Sequence, residues 1–386
     1  MVKAGSSRTV ARVSQESVWG VTDAVAMRNI SMLNDTLNIP TATAMSATIR
    51  GDTNQVGIAR VAQSAEGGIN FDMQYGANDH HFFEGALRST WSTDVGITAS
   101  TTIAAVASGN ELTSSAEFGN VQVGQFMPIS GFVTPGNNGL AKVTAVNSTS
   151  SINITGLTLT VESAGPAVTM KGSFMKNGTT DKSWSIEKEF TDITEFTSFL
   201  GMRVGTLSLT ITPGAVVTGS VGFLGKSGAS SVTTIGTGTP VASSSNQFMN
   251  STDNVTDIRL DDVATTNEFS ELTINIDTGL RSQPAIGFLN PVGVASGTLK
   301  VTGSMKTYFE NALLYKDYLD FIKKGLSFAI KDTAGNTYVI DLRQFNLTGD
   351  APQIGGIDQD VTLNSPFECF IDDSFGGTIG VTKIDA

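Results

Sequence analysis

The two histidines of the chain, His80 and His81, are adjacent in sequence, and Asp79 and Glu84 lie beside them. Imidazole and carboxylate groups at such spacing could ligate a transition metal. Neighbouring positions of a helix, however, point about 100° apart, so both rings cannot easily reach one ion. The pattern therefore favours histidines at a surface or an interface over a metal centre.

Acidic residues close in sequence form a second group that could do chemistry: Asp261 and Asp262, Asp372 and Asp373, Asp358 and Asp360. Two carboxylates serve a glycosidase when they converge across a cleft, and adjacency in sequence does not indicate convergence. Solvated loops are therefore the expectation, with weak Ca²⁺ binding as the alternative.

No motif for a nucleophile or a nucleotide accompanies these residues. No serine lies in a Gly-x-Ser-x-Gly turn followed by a suitable Asp and His, and there is no Walker loop or dinucleotide fingerprint. Cys369, the only cysteine, falls on an expected strand, where packing is favoured over catalysis. We expect a protein that is not an enzyme and uses no metal and no cofactor.

The composition is that of a folded, acidic, β-rich protein. The 386 residues include 41 glycines and 16% charged residues, and the net charge is −12. No cluster of Lys and Arg indicates tight nucleic-acid binding, and an acidic surface repels DNA. A single cysteine excludes an intrachain disulfide. Without a membrane-spanning run or a signal sequence, synthesis and folding in a cytoplasm are expected.

Several segments have the period of strands or helices. Apolar and polar residues alternate over 69–75, which predicts a half-buried antiparallel strand. A helix is predicted over 78–90, with Asp79 able to cap its start. The alternation returns over 271–277 and 298–302, and a second helix is predicted from Tyr308 to Lys324, ended by Gly325.

The strand-to-helix pattern suggests an internal repeat. Phe83–Leu87 is similar to Phe309–Leu313, and further along the chain Trp184 matches Tyr338 at a shorter separation. The shorter separation of the second match predicts an insertion in the first copy, between its two matching halves. The segment 95–171, poor in charge and rich in Gly, Ser and Thr, has about the size that the difference requires.

The predicted fold is mainly β, with two copies of a β-sandwich or barrel, each flanked by one α-helix, and a small inserted β domain. The first copy consists of 1–94 and 172–225 and includes an N-terminal arm. The inserted domain is 95–171, a linker or long loop covers 226–256, and the second copy is 257–386.

The order of these elements resembles the tail tube proteins (major tail proteins) of long-tailed, non-contractile bacteriophages of the siphovirus type. The resemblance rests on ordered segments rather than on one specific motif. These are Glu16–Thr22, Ala47–Asp52, Gly67-Gly68-x-x-Phe71, Phe82–Leu87 with Trp91, and Val204–Leu209 followed by Gly219-Ser220. They span most of residues 16–225, and the repeat extends the match to the C-terminus.

The resemblance implies a structural virion protein whose sheets join edge to edge in rings. The rings would stack into the tail tube and conduct double-stranded DNA into the host, and the protein would pass from the host cytoplasm to the virion tail. Two tube domains per chain imply a trimer of pseudo-sixfold symmetry, with a hexamer as the alternative. Tape measure, tail terminator and tail-tip proteins are the other partners implied, with no membrane span.

The polar strand faces are then candidates to line the lumen, because polar or negative side chains would let DNA slide. The candidate residues are Asn70, Asp72, Gln74, Glu271, Thr273, Asn275, Thr298 and Thr302. The competing functional hypothesis is a carbohydrate-binding or surface-binding β-sandwich protein, such as a fibre component or adhesin.

Overall fold

The computed structural model describes residues 3–52, 54–265, 268–349, 351–354 and 356–386. Strands dominate these residues, and the prediction of a mainly β fold is confirmed. None of the described helices is long and apolar enough to cross a membrane.

A first set of elements opens the chain and resumes after residue 172. Gly76 precedes its helix, and Arg88, in the left-handed conformation (φ 51°), ends it. Before the interruption lie β1 (Thr9–Gln15), β2 (Arg28–Ile30), β3 (Asn34–Asp35), β4 (Thr41–Met45), β5 (Ile58–Gln63), β6 (Ala65–Asp72) and α1 (Ala77–Leu87).

The interruption is a seven-stranded sheet with its own hydrophobic cluster. Phe118, Met127, Ile152 and Val168 are among the side chains buried in that cluster. The strands are β7 (Ile97–Ser100), β8 (Ala104–Val106), β9 (Glu111–Thr113), β10 (Phe126–Ser130), β11 (Gly139–Ser148), β12 (Ser151–Thr155) and β13 (Val168–Met170). Their spatial order is β7-β13-β10-β11-β12-β9-β8.

The first set then continues, and a second set follows it. The continuation consists of β14 (Ser173–Lys176), β15 (Trp184–Phe190), β16 (Glu195–Ile211), β17 (Thr218–Gly225) and β18 (Ser227–Ser231). The segment 226–256, expected as a linker or loop, thus contains a strand. The second set comprises β19 (Val255–Leu260), β20 (Val263–Ala264), β21 (Phe269–Asp277), β22 (Arg281–Gln283), β23 (Gly293–Ala295), β24 (Lys300–Tyr308), α2 (Leu313–Leu319), β25 (Lys324–Lys331), β26 (Thr337–Leu347), β27 (Thr362–Cys369) and β28 (Ile379–Ile384).

The two sets have the same antiparallel pairings in the same chain order. The pair β1–β2 corresponds to β19–β20, β1–β15 to β19–β25, β15–β16 to β25–β26, β16–β17 to β26–β27, β16–β18 to β26–β28, β6–β17 to β24–β27, β3–β6 to β21–β24 and β4–β5 to β22–β23. One bulge also recurs, since both hairpins shift register near the start of the first strand, after Trp184 and after Lys324. The domain boundaries drawn from the sequence stay a prediction.

The register proposed from the sequence for this recurrence is wrong. Strand β6 and helix α1 correspond to β24 and α2 at one constant offset, which aligns Asp72 with Tyr308 and Ala77 with Leu313. Phe309 precedes α2, whereas Phe83 lies inside α1. Trp184 and Tyr338 lie on β15 and β26, which do not correspond. Sparse identities in a β-rich composition were matched by chance.

The first helix agrees with its prediction over 78–90, but the second does not extend over 308–324. Tyr308 is the last residue of β24, where its backbone pairs with Thr362. Phe321, in the left-handed conformation (φ 53°), lies just beyond the end of α2. A strand ladder and a turn therefore limit this helix to Leu313–Leu319.

One long strand of each set bends from an outer sheet into an inner sheet. The outer sheet of the first set runs β2-β1-β15-β16-β18, and that of the second set runs β20-β19-β25-β26-β28-β14. The ends of β16 and β26 join the inner sheet. One hydrophobic core lies between the layers and includes Phe71, Phe83, Trp184, Leu209 and Phe345.

The inserted sheet packs on the outer face of the second outer sheet. Phe126 contacts a small apolar cluster formed by Ala329, Val339 and Ile384. Beside it, the buried ammonium of Lys142 lies 3.2 Å from Asp341 Oδ2. An apolar contact and a buried ion pair thus hold the insertion against the body of the chain.

Candidate functional site

The inner layers of the two sets form one continuous sheet of eight strands. Its order is β3-β6-β17-β16-β21-β24-β27-β26. The two sets meet where Thr206–Ile211 of β16 pairs with Leu272–Asp277 of β21. The edge of one set is thereby bonded to the edge of the next, inside a single chain.

A row of polar side chains crosses all eight strands of this sheet. Residues directly opposite each other on paired strands share one face. The register therefore brings together Asn34, Asn70, Ser220, Ser208, Asn275, Thr302, Glu368 and Asn346. A parallel row contains Asp72, Thr218, Thr210, Thr273 and Ser304. We call this side of the sheet the polar face.

The opposite side of the same strands is apolar and packs into the core. Its buried residues include Ile69, Phe71, Val221, Leu207, Leu209, Ile274, Ile276, Val301, Met305 and Phe367. Polar and apolar residues alternate because the side chains of a strand point to opposite sides. The sheet thus has one side in the core and, apart from Asn346, which is buried beside Phe321, one side against solvent.

Six of the eight predicted lumen residues lie on the polar face: Asn70, Asp72, Glu271, Thr273, Asn275 and Thr302. Thr298 is exposed but precedes β24. Gln74 follows β6, and its buried amide donates a hydrogen bond to the carbonyl of Asn246. Gln74 is therefore not part of the polar face. The alternation of the sequence continues past the end of β6, but the segment that contains Gln74 is packed.

The prediction from the sequence did not include other members of the polar face. Ser208 and Ser220 lie at its centre, and Glu368 lies near one edge. The alternation around Leu207, Leu209 and Val221 was visible and could have identified the two serines. Their partners across the sheet, however, are set by pairings that the alternation does not contain.

The polar face carries more negative than positive charge. Its strands present Asp72, Glu271, Asp277 and Glu368 on this side, against Lys300 and Lys306. Each lysine lies opposite a carboxylate, Lys306 facing Glu271 and Lys300 facing Asp277. Neutral pairs connect further strands, with Asn70 Nδ2 donating to Asn34 Oδ1 at 2.7 Å. The face is hydrophilic, with an acidic excess.

Both edges of the eight-stranded sheet are open in the described part of the chain. At one edge, β3 and its flanks bond to β6, with Leu33 N donating to Asn70 O and Thr36 N to Gly68 O. At the other edge, the end of β26 bonds to β27, and Thr348 N donates to Pro366 O. The strands that correspond to these edges, β21 and β16, are the two that pair within the chain. The edges are therefore complementary.

Comparison with known families agrees with this geometry. A family model described as phage tail tube protein matches residues 6–369, nearly the whole chain. The chain belongs to the phage tail tube protein family. No curated protein sequence matches it. As a member of this family it is a structural protein of the phage tail tube.

In this tail tube protein, the two histidines have structural surroundings. The ring of His80 packs edge-on against Tyr75, Trp91 and Tyr338 at centroid distances of 5.1, 5.7 and 5.6 Å. Burial lowers the pKa of His80 to about 3, so the ring is neutral. His81 Nδ1 lies 3.4 Å from Glu84. No group of three possible metal ligands occurs among the described residues.

Three of the six candidate carboxylates and the cysteine are engaged in ion pairs or packing, whereas Asp358, Asp360 and Asp373 are exposed. Asp261 contacts Lys324 at 3.0 Å, and Asp262 contacts Lys142 at 2.5 Å. Asp372 lies 3.3 Å from Arg343. Burial raises the pKa of the Cys369 thiol to about 12, which makes it a poor nucleophile. The eight-stranded sheet and its edges are thus the best candidate for a functional surface.

Asp79 does not cap α1 with its side chain as expected. The helix begins after Gly76, and the carboxylate of Asp79 accepts a hydrogen bond from Gln74 N at 2.9 Å inside the core. Burial raises the pKa of this carboxyl to about 8. The group connects the end of β6 to the helix.

Proposed function

We propose that this tail tube protein forms rings by pairing the open edge at the end of β26, around Thr348 and Gly349, in one chain with β3 in the next. The observation that carries the proposal is the pairing of β16 with β21 inside the chain. Because β26 corresponds to β16, and β3 to β21, the joint within the chain is a template for the joint between chains. Repetition of one heterologous joint closes a ring when the rotation permits.

Three chains form each ring in this proposal. The recurrence of eight strand pairings supports a duplicated tube domain, so a trimer contains six units and has pseudo-sixfold symmetry. Eight inner strands from each of three chains, spaced about 4.8 Å apart, give a circumference of at least about 115 Å and a diameter of at least about 37 Å. A hexamer, the alternative, would double the circumference.

The polar face lines the lumen of the ring in this proposal. It is the side of the inner sheet away from the core. Its charge is negative overall, because Asp72, Glu271, Asp277 and Glu368 outnumber its two lysines. Like charge disfavours binding to DNA phosphates, so the duplex can pass without being held. Stacked rings would then conduct DNA into the host during ejection.

The remaining partners follow from membership of a tail tube. A tube of defined length requires a tape measure protein inside it, a terminator at one end and tip proteins at the other. We propose that the chain is made in the host cytoplasm and then assembles with them into the virion tail.

Electron microscopy of the purified full chain tests the proposal. We expect rings or tubes whose class averages have threefold symmetry with six similar lobes, and a ring mass of about 120 kDa by mass photometry, three times the chain mass of 40.4 kDa. Monomers that persist at every concentration would overturn the assembly. A ring of six chains would overturn the trimer.

A further inference from the structure

The two corresponding helices differ in how they are covered. In α1, all residues from Phe82 to Leu87 are buried, whereas in α2 only Leu314 is buried. Leu319, which the offset between the two helices aligns with Phe83, is 61% exposed. Phe321 and Ile322, just beyond the helix, are 71% and 45% exposed. An apolar surface that is buried in the first set is thus open in the second.

The cover of α1 comes partly from the second set. Tyr338 of β26 packs its ring 5.4 Å from Phe83 and 4.8 Å from Tyr75, between ring centroids. The hydroxyl of Tyr75 donates to Asp385 Oδ1 at 2.6 Å. The end of one outer sheet, near the β25–β26 turn, therefore packs over the helix of the preceding set.

The same end of the first outer sheet is an open groove. In the second set, Tyr338 pairs with Ile330, and Ile330 pairs with Val255. When the two sets are aligned at their bulges, Phe190 corresponds to Ile330 and Thr9 to Val255. Phe190, Thr9, Ile30, Met32 and Leu33 line a cavity of about 580 Å³. Leu33, at its rim, is 56% exposed.

We propose that α2 of one chain packs into this groove of the next chain in the ring. The occupant is a second copy of this chain. Within one chain the second outer sheet packs over α1, and the proposed contact repeats this packing between α2 of one chain and the first outer sheet of the next. This inference rests on the proposed ring and adds a second contact to it. Leu319 is then the buried anchor of the interface, as Phe83 is inside the chain.

The location of both surfaces agrees with one continuous interface. Asn346, at the open end of β26, donates a hydrogen bond to the carbonyl of Phe321 at 3.3 Å, so the apolar surface adjoins that edge. The groove includes Asn34 and Asp35, the two residues of β3. Strand pairing and helix packing would therefore form together at each joint.

Two charge substitutions test the proposal from its two sides. Leu319→Asp places a carboxylate in the helix surface, and Leu33→Asp places one at the groove. Each chain alone should need about tenfold or more protein than the unaltered chain to form rings. Val133→Asp, at a residue that is 80% exposed in the inserted segment, is the matched control and should assemble normally. Circular dichroism and melting curves establish that every monomer is folded.

Mixing the two variants identifies the occupant. A Leu319→Asp chain keeps an intact groove, and a Leu33→Asp chain keeps an intact α2. An equal mixture, at a concentration where neither variant associates alone, should therefore give dimers by mass photometry. The inference would be overturned if Leu319→Asp formed rings at the concentration at which the unaltered chain forms them, or if the mixture stayed monomeric. Failure of the unaltered chain to form rings would instead overturn the proposed function.

Discussion

At the scale of single residues, the groups that looked chemical are part of the packing around α1. His80 packs among aromatic rings as a neutral side chain, and the hydroxyl of Tyr338 accepts a hydrogen bond from Gly76 N at 3.3 Å. Asp79 bonds the backbone of Gln74 from within the core. These contacts join the end of β6, the helix and the second set, which gives the groups a packing role.

Asp79 makes stability depend on pH. Its folded pKa, about 8, lies above the ordinary value of 3.8, so its contribution is fully present below about pH 4 and is lost as pH rises towards 8. Asp79→Asn should remove a slope of up to about 1.4 kcal/mol per pH unit in the free energy of unfolding. Urea unfolding at pH 5 and pH 8 measures it. Asp360→Asn, at an exposed site, is the control; an equal effect of Asp79→Asn at both pH values would contradict the assignment.

At the scale of elements, the proposed assembly depends on the two edges of the inner sheet. Strand β16 bonds β17 on one side and β21 on the other, whereas the described residues just after β26 bond only the β27 side, through Thr348 N to Pro366 O and Gln353 N to Thr362 O. An edge of unpaired amides and carbonyls favours pairing with another strand. The monomer is thus prepared for association without a change of its existing pairings.

A proline at that edge should prevent the joint and spare the monomer. Thr348 N donates to Pro366, so by alternation Gly349 N points to the open side. Gly349→Pro removes this donor and should raise the protein concentration needed for rings by about tenfold or more, with little change in melting temperature. Gly349→Ala keeps the donor, and its Cβ would meet Pro366 at an ordinary 3.5 Å. Equal assembly of the two variants, by sedimentation, would count against the β26–β3 joint.

At the scale of the whole molecule, the two sides of the inner sheet have different tasks. The apolar side holds the layers of one chain together, and in the proposed ring the polar face lines the channel. The acidic excess on that face is small per chain, but in the proposed tube every chain would repeat it along the path of the DNA. Conduction in this proposal would depend on the absence of attraction between the face and DNA rather than on a binding site.

Positive charge on the polar face should make tubes retain DNA. Asn70→Lys with Asn275→Lys adds two ammonium groups per chain at sites that are not direct cross-strand neighbours. The altered tubes should bind short duplexes, with an affinity that falls about tenfold or more between 50 and 200 mM salt. Asn120→Lys with Asn147→Lys, exposed in the inserted segment, supplies the same charge elsewhere. Filter binding compares the two; equal retention by both would remove the polar face from the channel.

The sequence by itself determined the class of fold and the two sides of its strands. Alternation over 69–72 and 271–277 is local information, since neighbouring side chains of a strand point in opposite directions. The α1 helix was predictable because the apolar stripe of a helix is also local information. Ordered segments also sufficed to indicate the tail tube family, which the match over residues 6–369 shows.

Only the tertiary structure decided which residues form a surface together. The polar row joins Asn34 to Asn346 through seven pairings, five of them between strands that are not consecutive in the chain, and no local period contains that register. The length of α2 was likewise decided by the β24–β27 ladder, which takes Tyr308 out of the helix. The pairing of β16 with β21, from which the ring is inferred, is also non-local. Its hydrogen bonds join backbone groups that every residue carries, so the side chains of the sequence hardly specify it.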